Sequence, residues 1–280
     1  MKIFLIFTAV LFLLLILWFL FERRFLITVK DDIHLENLPR DFNGLKILQI
    51  SDIHHRKFGT DNSRISDIAG NIAPDLIFLT GDMVSRNESD FSSTEKLCAR
   101  LSDIAPVYFV FGNHELDFSG RKRDEYVSAL KKAGVTILDN SKITIHRNSS
   151  SIDIAGATLI KGIYRDENRR FKNLCSYSLS QLNSDIGTRQ RCTLLLAHNP
   201  LIADTYAQWK ADAVFSGHVH GGIIRLPFIG GLLSPERKFF PRFTKGVYFL
   251  NNTLLYVSGG VGKLRLFNPA EINLITLHSK

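Results

Sequence analysis

The residues best suited to chemistry in this sequence are acidic, histidine and amide side chains that follow short apolar runs. They occur in five separate motifs: Asp52-Ile53-His54, Gly81-Asp82, Gly112-Asn113-His114-Glu115, Ala197-His198-Asn199 and Gly217-His218-Val219-His220. Carboxylate, imidazole and carboxamide groups form a ligand set that suits two divalent ions of the Zn, Fe or Mn type. The motifs contain five of the nine histidines, which argues against chance. The pattern therefore predicts a dinuclear metal site that hydrolyses phosphate esters.

The individual motifs suggest different roles at such a site. Two cations need a bridging anion, and Asp82, which stands between the other ligand groups in the sequence, is the natural bridge. Asn113 offers a neutral oxygen ligand, and His114 beside it can donate a proton or stabilise developing negative charge. Gly81 and Gly112 allow the backbone to approach a bound group closely. Each motif alone also occurs in ordinary polar turns, so the combination carries the prediction.

The segments between the motifs alternate between strand and helix patterns. Strands are predicted at 46–51, 75–80 and 107–111, and helices at 62–72, 93–104 and 123–133. Gly134 is suited to ending the last of these helices. Such an alternation implies right-handed crossovers and a largely parallel sheet, whose strand ends form a common edge for the motifs.

The pattern changes after about residue 136, where short β-like segments dominate. They lie at 143–147, 152–160, 193–197, 213–216, 247–250 and 254–258. Residues 165–191 are rich in polar groups and are interpreted as an excursion or a short helix. The sequence predicts two sheets packed face to face, with helices outside, in one continuous domain covering residues 44–280.

The N-terminus carries a separate signal for a membrane. Residues 3–21 contain a single polar residue, Thr8, and are long enough to cross a bilayer as a helix. No small-residue cleavage site follows, so residues 1–21 are predicted to be an anchor rather than a cleaved signal peptide, with 22–43 as a connector. The positive-inside bias of Arg23 and Arg24 favours a cytoplasmic catalytic domain, whereas N-terminal signal anchors commonly send the following chain outward.

The net charge bears on which partners are expected, and the cysteine content bears on whether disulfides are. The formal net charge is +8, with basic residues spread along the chain. A basic domain tied to a membrane would face anionic headgroups favourably, although an ordinary solvated basic surface explains single clusters equally well. No RNA- or DNA-binding signature accompanies the charge, so no specific nucleic-acid partner is expected. Three cysteines are an odd number without close pairing, which argues against a disulfide framework.

The five motifs together resemble the signature of the calcineurin-like metallophosphoesterases, over about residues 44–277. The chain is similar to a bacterial, membrane-associated branch with an N-terminal hydrophobic segment. The residues that carry this second resemblance are Gly221-Gly222, Arg-Leu-Pro-Phe-Ile-Gly at 225–230, Tyr-Val-Ser-Gly-Gly at 256–260 and Asn268-Pro269-Ala270-Glu271. One departure is Ile223, where relatives of this branch usually have glutamine.

The resemblance implies a four-layer α/β/β/α sandwich behind one transmembrane helix. It also implies two ions with defined ligands: the first held by Asp52, His54, Asp82 and His220, and the second by Asp82, Asn113, His198 and His218. His114 would act on the leaving group or the transition state. The family hydrolyses its substrates by direct attack without a phosphoenzyme, and no residue here stands out as a nucleophile with its own base.

The natural substrate is left open by the sequence. A phosphodiester, a pyrophosphate or a phosphomonoester is expected, and it could belong to a membrane lipid or an envelope precursor. The alternatives are a nucleotide or nucleic-acid phosphodiesterase and a metal-bearing scaffold without turnover. Residues 223–243 combine apolar groups with Arg225, Arg237, Lys238 and Arg242 directly after His220. This segment either dips into an anionic bilayer surface or connects the sheets, with its phenylalanines capping the core.

Overall fold

Two six-stranded sheets form the centre of the protein in the computed structural model, which describes residues 1–22, 24–165, 174–226, 229–234, 239–262, 265 and 267–280. The strands are β1 Leu26–Leu35, β2 Leu45–Ile50, β3 Leu76–Leu79, β4 Val107–Phe109, β5 Thr136–Ile137, β6 Ser141–Arg147, β7 Ser150–Gly156, β8 Thr193–Leu196, β9 Ala213–Ser216, β10 Ile224–Leu226, β11 Gly230–Leu233, β12 Gly246–Leu250, β13 Thr253–Val257 and β14 Ala270–Ser279. The α-helices are α1 Lys2–Glu22, α2 Ser63–Ile72, α3 Ser92–Ser102, α4 Arg121–Lys132, α5 Leu179–Ile186 and α6 Ala203–Gln208.

The sheets pack face to face with helices on their outer faces. One sheet has the order β1-β14-β2-β3-β4-β5 and the other β12-β13-β9-β8-β7-β6. Phe78 of β3 and Phe215 of β9 meet edge to face between the sheets, with ring centroids 5.1 Å apart. Helices α3 and α4 contact the first sheet, with α2 packed on α3, while α5 and α6 contact the second. The predicted four-layer α/β/β/α architecture is thus confirmed.

The strand register brings the chemically active motifs to one edge. Strands β2, β3 and β4 are parallel, and Leu79 is paired with both Ile50 and Phe109. In the second sheet β8 and β9 are also parallel, with Leu196 opposite Phe215. Every motif begins within a few residues of one of these strand ends. Strand β3 is buried at all four positions, because both faces of its sheet are covered, and this produces a continuous apolar run.

Several strands were not predicted from the sequence. The predicted connector contains β1, which pairs in parallel with β14 from Leu26 opposite Ala270 to Leu35 opposite Ser279. Exposed polar residues interrupt β1, and its partner lies at the far end of the chain, so local patterning does not reveal the pair. The hairpin of β10 and β11 was likewise not predicted. Of the predicted excursion at 165–191, residues 166–173 lie outside the described part, and α5 occupies part of the remainder.

Helix α1 is long enough and apolar enough to cross a bilayer. Its C-terminal end contacts the domain formed by the two sheets. The buried carboxylate of Glu22 accepts a hydrogen bond from the backbone amide of Phe267, at 2.8 Å. The ring of Trp18 lies 6.0 Å from that of Phe267. These contacts attach the helix to the loop that precedes β14.

Candidate metal centre

The ends of β2, β3, β4, β8 and β9 bring the predicted residues together in three groups, and the ligand atoms within each group lie within 4.8 Å of one another. The groups are Asp52 with His54 and His220, His54 with Asp82 and His114, and Asp82 with His198 and His218. Asn113 adjoins the third group, since its Oδ1 lies 3.2 Å from Nε2 of His198. All eight residues singled out from the sequence therefore lie in one cluster.

Asp82 occupies the centre of this cluster. Its Oδ2 lies 3.8 Å from Nε2 of His54 on one side and 3.4 Å from Nε2 of His198 on the other. Its Oδ1 accepts the backbone N–H of His114 at 2.7 Å. Burial would raise the pKa of Asp82, but the charges of His198 and His114 hold it well below its usual value. The group is therefore an anion at neutral pH with one oxygen facing both sets of histidines.

The second buried carboxylate of the cluster is Asp52, which forms a group with His54 and His220. Both oxygens of Asp52 accept the backbone N–H of His218 at 3.1 Å, and Oδ1 lies 3.2 Å from Nε2 of His220. That nitrogen is also 3.2 Å from Nε2 of His54. Burial lowers the pKa of His54 to about 3 despite the opposing charge of Asp82. His54 is therefore neutral, as a metal-binding imidazole must be.

The orientation of His198 is set by a backbone carbonyl. Its Nδ1 donates to the carbonyl oxygen of Thr80 at 2.7 Å, which turns Nε2 toward the oxygens of Asn113 and Asp82. A lone pair on Nε2 facing two oxygens is unfavourable unless a proton or a cation lies between them. Metal-binding histidines commonly have such a hydrogen bond at the ring nitrogen that does not bind the metal.

The backbone at the cluster adopts conformations that most residues avoid. Five of its residues have φ in the left-handed region: Asp52 at 55°, His54 at 52°, Asp82 at 52°, His218 at 71° and His220 at 55°. This backbone conformation is energetically unfavourable for non-glycine residues, and it is more frequent at functional sites than elsewhere. The turns after the strands are thus shaped to point these side chains at one another, at the expense of local backbone energy.

Glycines let the motif loops pass close to the ligands. A Cβ at Gly112 would lie 2.3 Å from Oδ1 of Asp82, and one at Gly81 would lie 2.7 Å from Nδ1 of His198. At Gly217 it would be 2.4 Å from Oδ2 of Asp52. These contacts are too short for any side chain. The close approach expected of Gly81 and Gly112 is therefore found, with the ligands themselves as the neighbours.

The donor set fits divalent cations. Two buried carboxylates, four imidazoles and one carboxamide oxygen are a combination typical of Zn, Fe and Mn sites. Nε2 of His220 lies 3.2 Å from both Nε2 of His54 and Oδ1 of Asp52, a spacing that ligands of one cation can adopt. Asp52, Asp82, Asn113, His54, His198, His218 and His220 would hold such ions.

Comparison with known proteins agrees with this geometry. The family model of the calcineurin-like phosphoesterases matches residues 45–222. The chain belongs to the calcineurin-like phosphoesterases. It is thus a metal-dependent phosphoric ester hydrolase, and members of this family use divalent metals.

Three similar proteins illustrate the range of the family. An uncharacterized metallophosphoesterase of Campylobacter jejuni is 31% identical over 89% of this chain and 62% of its own length. Phosphodiesterase YaeI of Escherichia coli is 30% identical over 83% of this chain and 82% of its own length. A zebrafish (Danio rerio) transmembrane protein with a metallophosphoesterase domain is 27% identical over 89% of this chain and 56% of its own length. The chain therefore spans less than two thirds of the first and third of these proteins.

Glu115 holds the loops that carry Asp82 and Asn113 together. Its buried carboxylate accepts hydrogen bonds from the backbone N–H groups of Asp82, Met83, Val84 and Gly112, at 2.9, 2.7, 3.3 and 3.0 Å. Burial raises the pKa of Glu115, and the charge of Asp82 raises it further. In the sequence Glu115 is only the last residue of a motif. Its role could not be predicted there, because three of its four backbone partners belong to another loop.

Glu115→Gln is expected to impair both stability and activity, because an amide cannot accept four N–H groups and places its own donor against some of them. Each buried donor left unsatisfied costs about 1–3 kcal/mol. We expect a loss of about 2–5 kcal/mol in the free energy of unfolding, with reduced metal content. Thermal unfolding and elemental analysis test this, with the exposed Glu125→Gln as control. Wild-type stability and metal content in Glu115→Gln would contradict the role.

Metal binding should displace a proton from His198. Burial lowers the pKa of His198, but Asp82 and Asp52 outweigh burial and raise it to about 9. Below that pH the metal-free protein holds a proton on Nε2, which a cation must replace. Affinity for Mn²⁺ should therefore increase by up to about tenfold per pH unit between neutral pH and about 9. Calorimetric titration of metal-stripped protein in buffers of different ionisation enthalpy should show proton release, and a pH-independent affinity would contradict it.

His114 is placed differently from the other histidines. Its Nδ1 accepts the backbone N–H of Arg86 at 3.2 Å, so Nε2 carries the proton of the neutral ring, and Nε2 lies 4.0 Å from Oδ2 of Asp82. Burial lowers the pKa of His114 against the effect of Asp82, which favours that neutral form. His114 belongs to one of the three groups that could hold a metal ion. Its protonated Nε2 is also suited to donating a proton.

A polar pocket of about 260 Å³ adjoins His54 and is lined among others by His55, Lys57, Glu88 and Ser93. Nδ1 of His55 lies 3.2 Å from the carboxylate of Glu88. Arg86 pairs with Asp117 at 3.3 Å. The ring of Tyr164, which the sequence did not single out, meets that of His218 edge to face at 5.0 Å.

Proposed function

We propose that the chain is a dinuclear phosphodiesterase that acts on an amphiphilic phosphorylated substrate at a membrane. The observation that carries the dinuclear assignment is the position of Asp82, whose Oδ2 faces His54 on one side and His198 on the other. One ion is assigned to Asp52, His54, Asp82 and His220, and the other to Asp82, Asn113, His198 and His218.

The chain's own residues have clear tasks in such a reaction. When bound, two divalent ions would polarise the phosphoryl group and lower the pKa of water. Asp82 and Asp52 supply the negative charge that holds these ions, and the neutral His54 adds a nitrogen ligand. His114 presents Nε2–H toward the same cleft and delivers a proton to the departing oxygen. Arg86 fixes the ring of His114 through its backbone amide.

A diester is favoured over a monoester by the surroundings of the site. The polar pocket beside His54 offers room and both signs of charge for a second substituent on phosphorus. The similarity to phosphodiesterase YaeI points the same way. A nucleotide substrate remains the second candidate, because the same pocket has hydrogen-bonding groups for a sugar or a base.

Membrane attachment through α1 supports a lipid as the source of the diester. The exposed tip of the segment after His220 adds to this: Ile229, Phe239 and Phe240 are 62%, 70% and 65% exposed, whereas Phe243 is 4% exposed and caps the core. Phe228, Arg237 and Lys238, which belong to the basic and apolar pattern of the sequence, lie outside the described residues. Exposed aromatic groups close in the chain to the exposed Arg242 suit an anionic lipid surface.

The activity test compares substrates that differ in phosphate chemistry and in the groups attached to phosphorus. The full chain in detergent, loaded with Mn²⁺, Zn²⁺ or Fe²⁺, is assayed with model diesters, model monoesters, lipid-linked pyrophosphates and polynucleotides. We expect metal-dependent hydrolysis of diesters with a preference for amphiphilic ones. Absence of turnover with every metal would favour a scaffold, and preference for polynucleotides would favour the nucleotide alternative.

Replacing Phe239 and Phe240 with Ser should weaken binding to anionic liposomes in a chain that lacks residues 1–21. Each buried aromatic group contributes about 1.5–3 kcal/mol, so the double variant should bind at least about tenfold more weakly. Phe249→Ser, which removes another phenylalanine that is 73% exposed, is the control. Unchanged liposome binding in the folded double variant would make the segment a purely structural connection.

A further inference from the structure

An apolar groove runs between the membrane helix and the hairpin that follows the metal ligands. It has a volume of about 330 Å³ and is lined by Phe12, Leu15, Ile16, Phe19, Ile223, Ile224 and Arg265. The four residues of α1 are spaced i, i+3, i+4 and i+7, so they share one face of the helix. They extend over about 10 Å of its length. The volume is within the range of small-molecule sites.

Arg265 is the feature that distinguishes this groove from ordinary helix packing. Among the described residues that line the groove, it alone carries a charge, and it is 4% exposed. Its Nε donates to the carbonyl oxygen of Gly262 at 2.8 Å and its Nη2 to that of Gly259. Its buried Nη1 has no hydrogen-bond partner in the part of the chain that the structure describes. A buried cationic donor without a partner is costly.

The loop that holds Arg265 also touches the metal centre. A Cβ at Gly262 would lie 3.1 Å from Cδ2 of His54, and one at Gly260 would lie 2.9 Å from Oδ2 of Asp52. Arg56, another buried cation, donates to the same carbonyl of Gly262 at 3.5 Å. Arg265, which lines the groove, is therefore hydrogen-bonded to the same glycine-rich turn, residues 259–262, that contacts Asp52 and His54.

We propose that the groove binds the acyl chain of an anionic amphiphile, and that Nη1 of Arg265 binds an anionic oxygen of its headgroup while the phosphodiester reaches the metal centre. This assignment rests on the proposed phosphodiesterase function and specifies the substrate class. Although burial lowers the pKa of Arg265, it does so only to about 10, so the guanidinium keeps its charge at neutral pH.

An acyl chain is favoured over other occupants by the position of the groove. Phe12 lies about 15 Å along the helix from Glu22, at a depth where lipid tails surround a spanning helix. A non-helical peptide segment at that depth would bring backbone groups that need hydrogen bonds, and among the described residues of the lining only Arg265 has a polar side chain. A second copy of α1 would bury the apolar face but leave the guanidinium without an anion.

Filling the groove tests the acyl-chain site. Ile16→Trp places bulk in the groove, and Leu14→Trp, on the opposite face of α1, is the matched control. The full chain with Mn²⁺ is assayed with ethyl and hexadecyl p-nitrophenyl phosphate. Ile16→Trp should lower kcat/KM for the hexadecyl ester about tenfold and leave the ethyl ester unchanged, with Leu14→Trp like wild type for both. Equal effects on both esters, or none on either, would overturn the proposal.

The role of Arg265 is tested by binding, which needs no turnover. Affinity for hexadecyl phosphate and for hexadecanol is measured with wild type, Arg265→Met and Arg265→Lys. Arg265→Met should bind the phosphate at least about tenfold more weakly and the alcohol as wild type does, and Arg265→Lys should recover part of the loss. Equal binding of phosphate and alcohol by wild type, or unchanged phosphate binding in a folded Arg265→Met, would overturn it. If wild type binds hexadecyl phosphate but hydrolyses neither ester, the phosphodiesterase function fails while the amphiphile site stands.

Discussion

Asp82→Asn is expected to reduce phosphodiesterase activity to the background of the assay and to lower the metal content of both sites. A neutral carboxamide cannot bridge two cations, because it offers one oxygen and no charge where Oδ2 faces His54 and His198. The loss of an anion at this position also leaves the two ions to repel each other without compensation.

Elemental analysis of purified protein provides the direct measurement. The wild type should contain about two metal ions per chain, and Asp82→Asn should contain markedly less than one. Asp67→Asn, which changes an exposed aspartate on α2, is the control and should match the wild type in both respects. Wild type that binds no metal and is not activated by Mn²⁺, Zn²⁺ or Fe²⁺ would exclude the dinuclear mechanism.

His114→Ala is expected to keep the metals and to lower kcat by about 10²–10⁴. The reason is that its Nε2 carries the proton when Nδ1 accepts the amide of Arg86, so its removal affects the transition state more than the ground state. KM should change far less, as it does when a group acts only in the transition state.

Metal content, measured together with kcat, distinguishes a proton donor from a metal ligand at position 114. His146→Ala removes an exposed histidine on β6 and should leave both quantities at their wild-type values. A metal-depleted His114→Ala would make His114 a ligand, which its place beside His54 and Asp82 in one metal-capable group allows. A substrate with a good leaving group should suffer less from His114→Ala than one with a poor leaving group, because it needs no proton.

The sequence by itself determined the chemistry of the site and the layers of the fold. Carboxylates, histidines and an asparagine directly after apolar runs are local features, and the alternation of strand and helix patterns places such motifs at a common sheet edge. The predicted boundaries of β2, β3, β8 and β9 are within one or two residues of those observed. Strands β3, β8 and β9 are buried at every position and β2 at all but Lys46, so hydrophobicity alone marks them.

Tertiary structure decided the features whose partners are distant in the chain or belong to the backbone. The sequence predicts a connector at 22–43, and only the pairing of Leu26–Leu35 with β14 makes this part a strand. Glu115 acts on amide groups of the Asp82 loop, and Arg265 meets α1 across almost the whole length of the chain. Local sequence patterns show which face of a helix or strand is apolar. Whether a buried polar group finds a hydrogen-bond partner depends on which loops lie next to each other, and only the packing of the two sheets decides that.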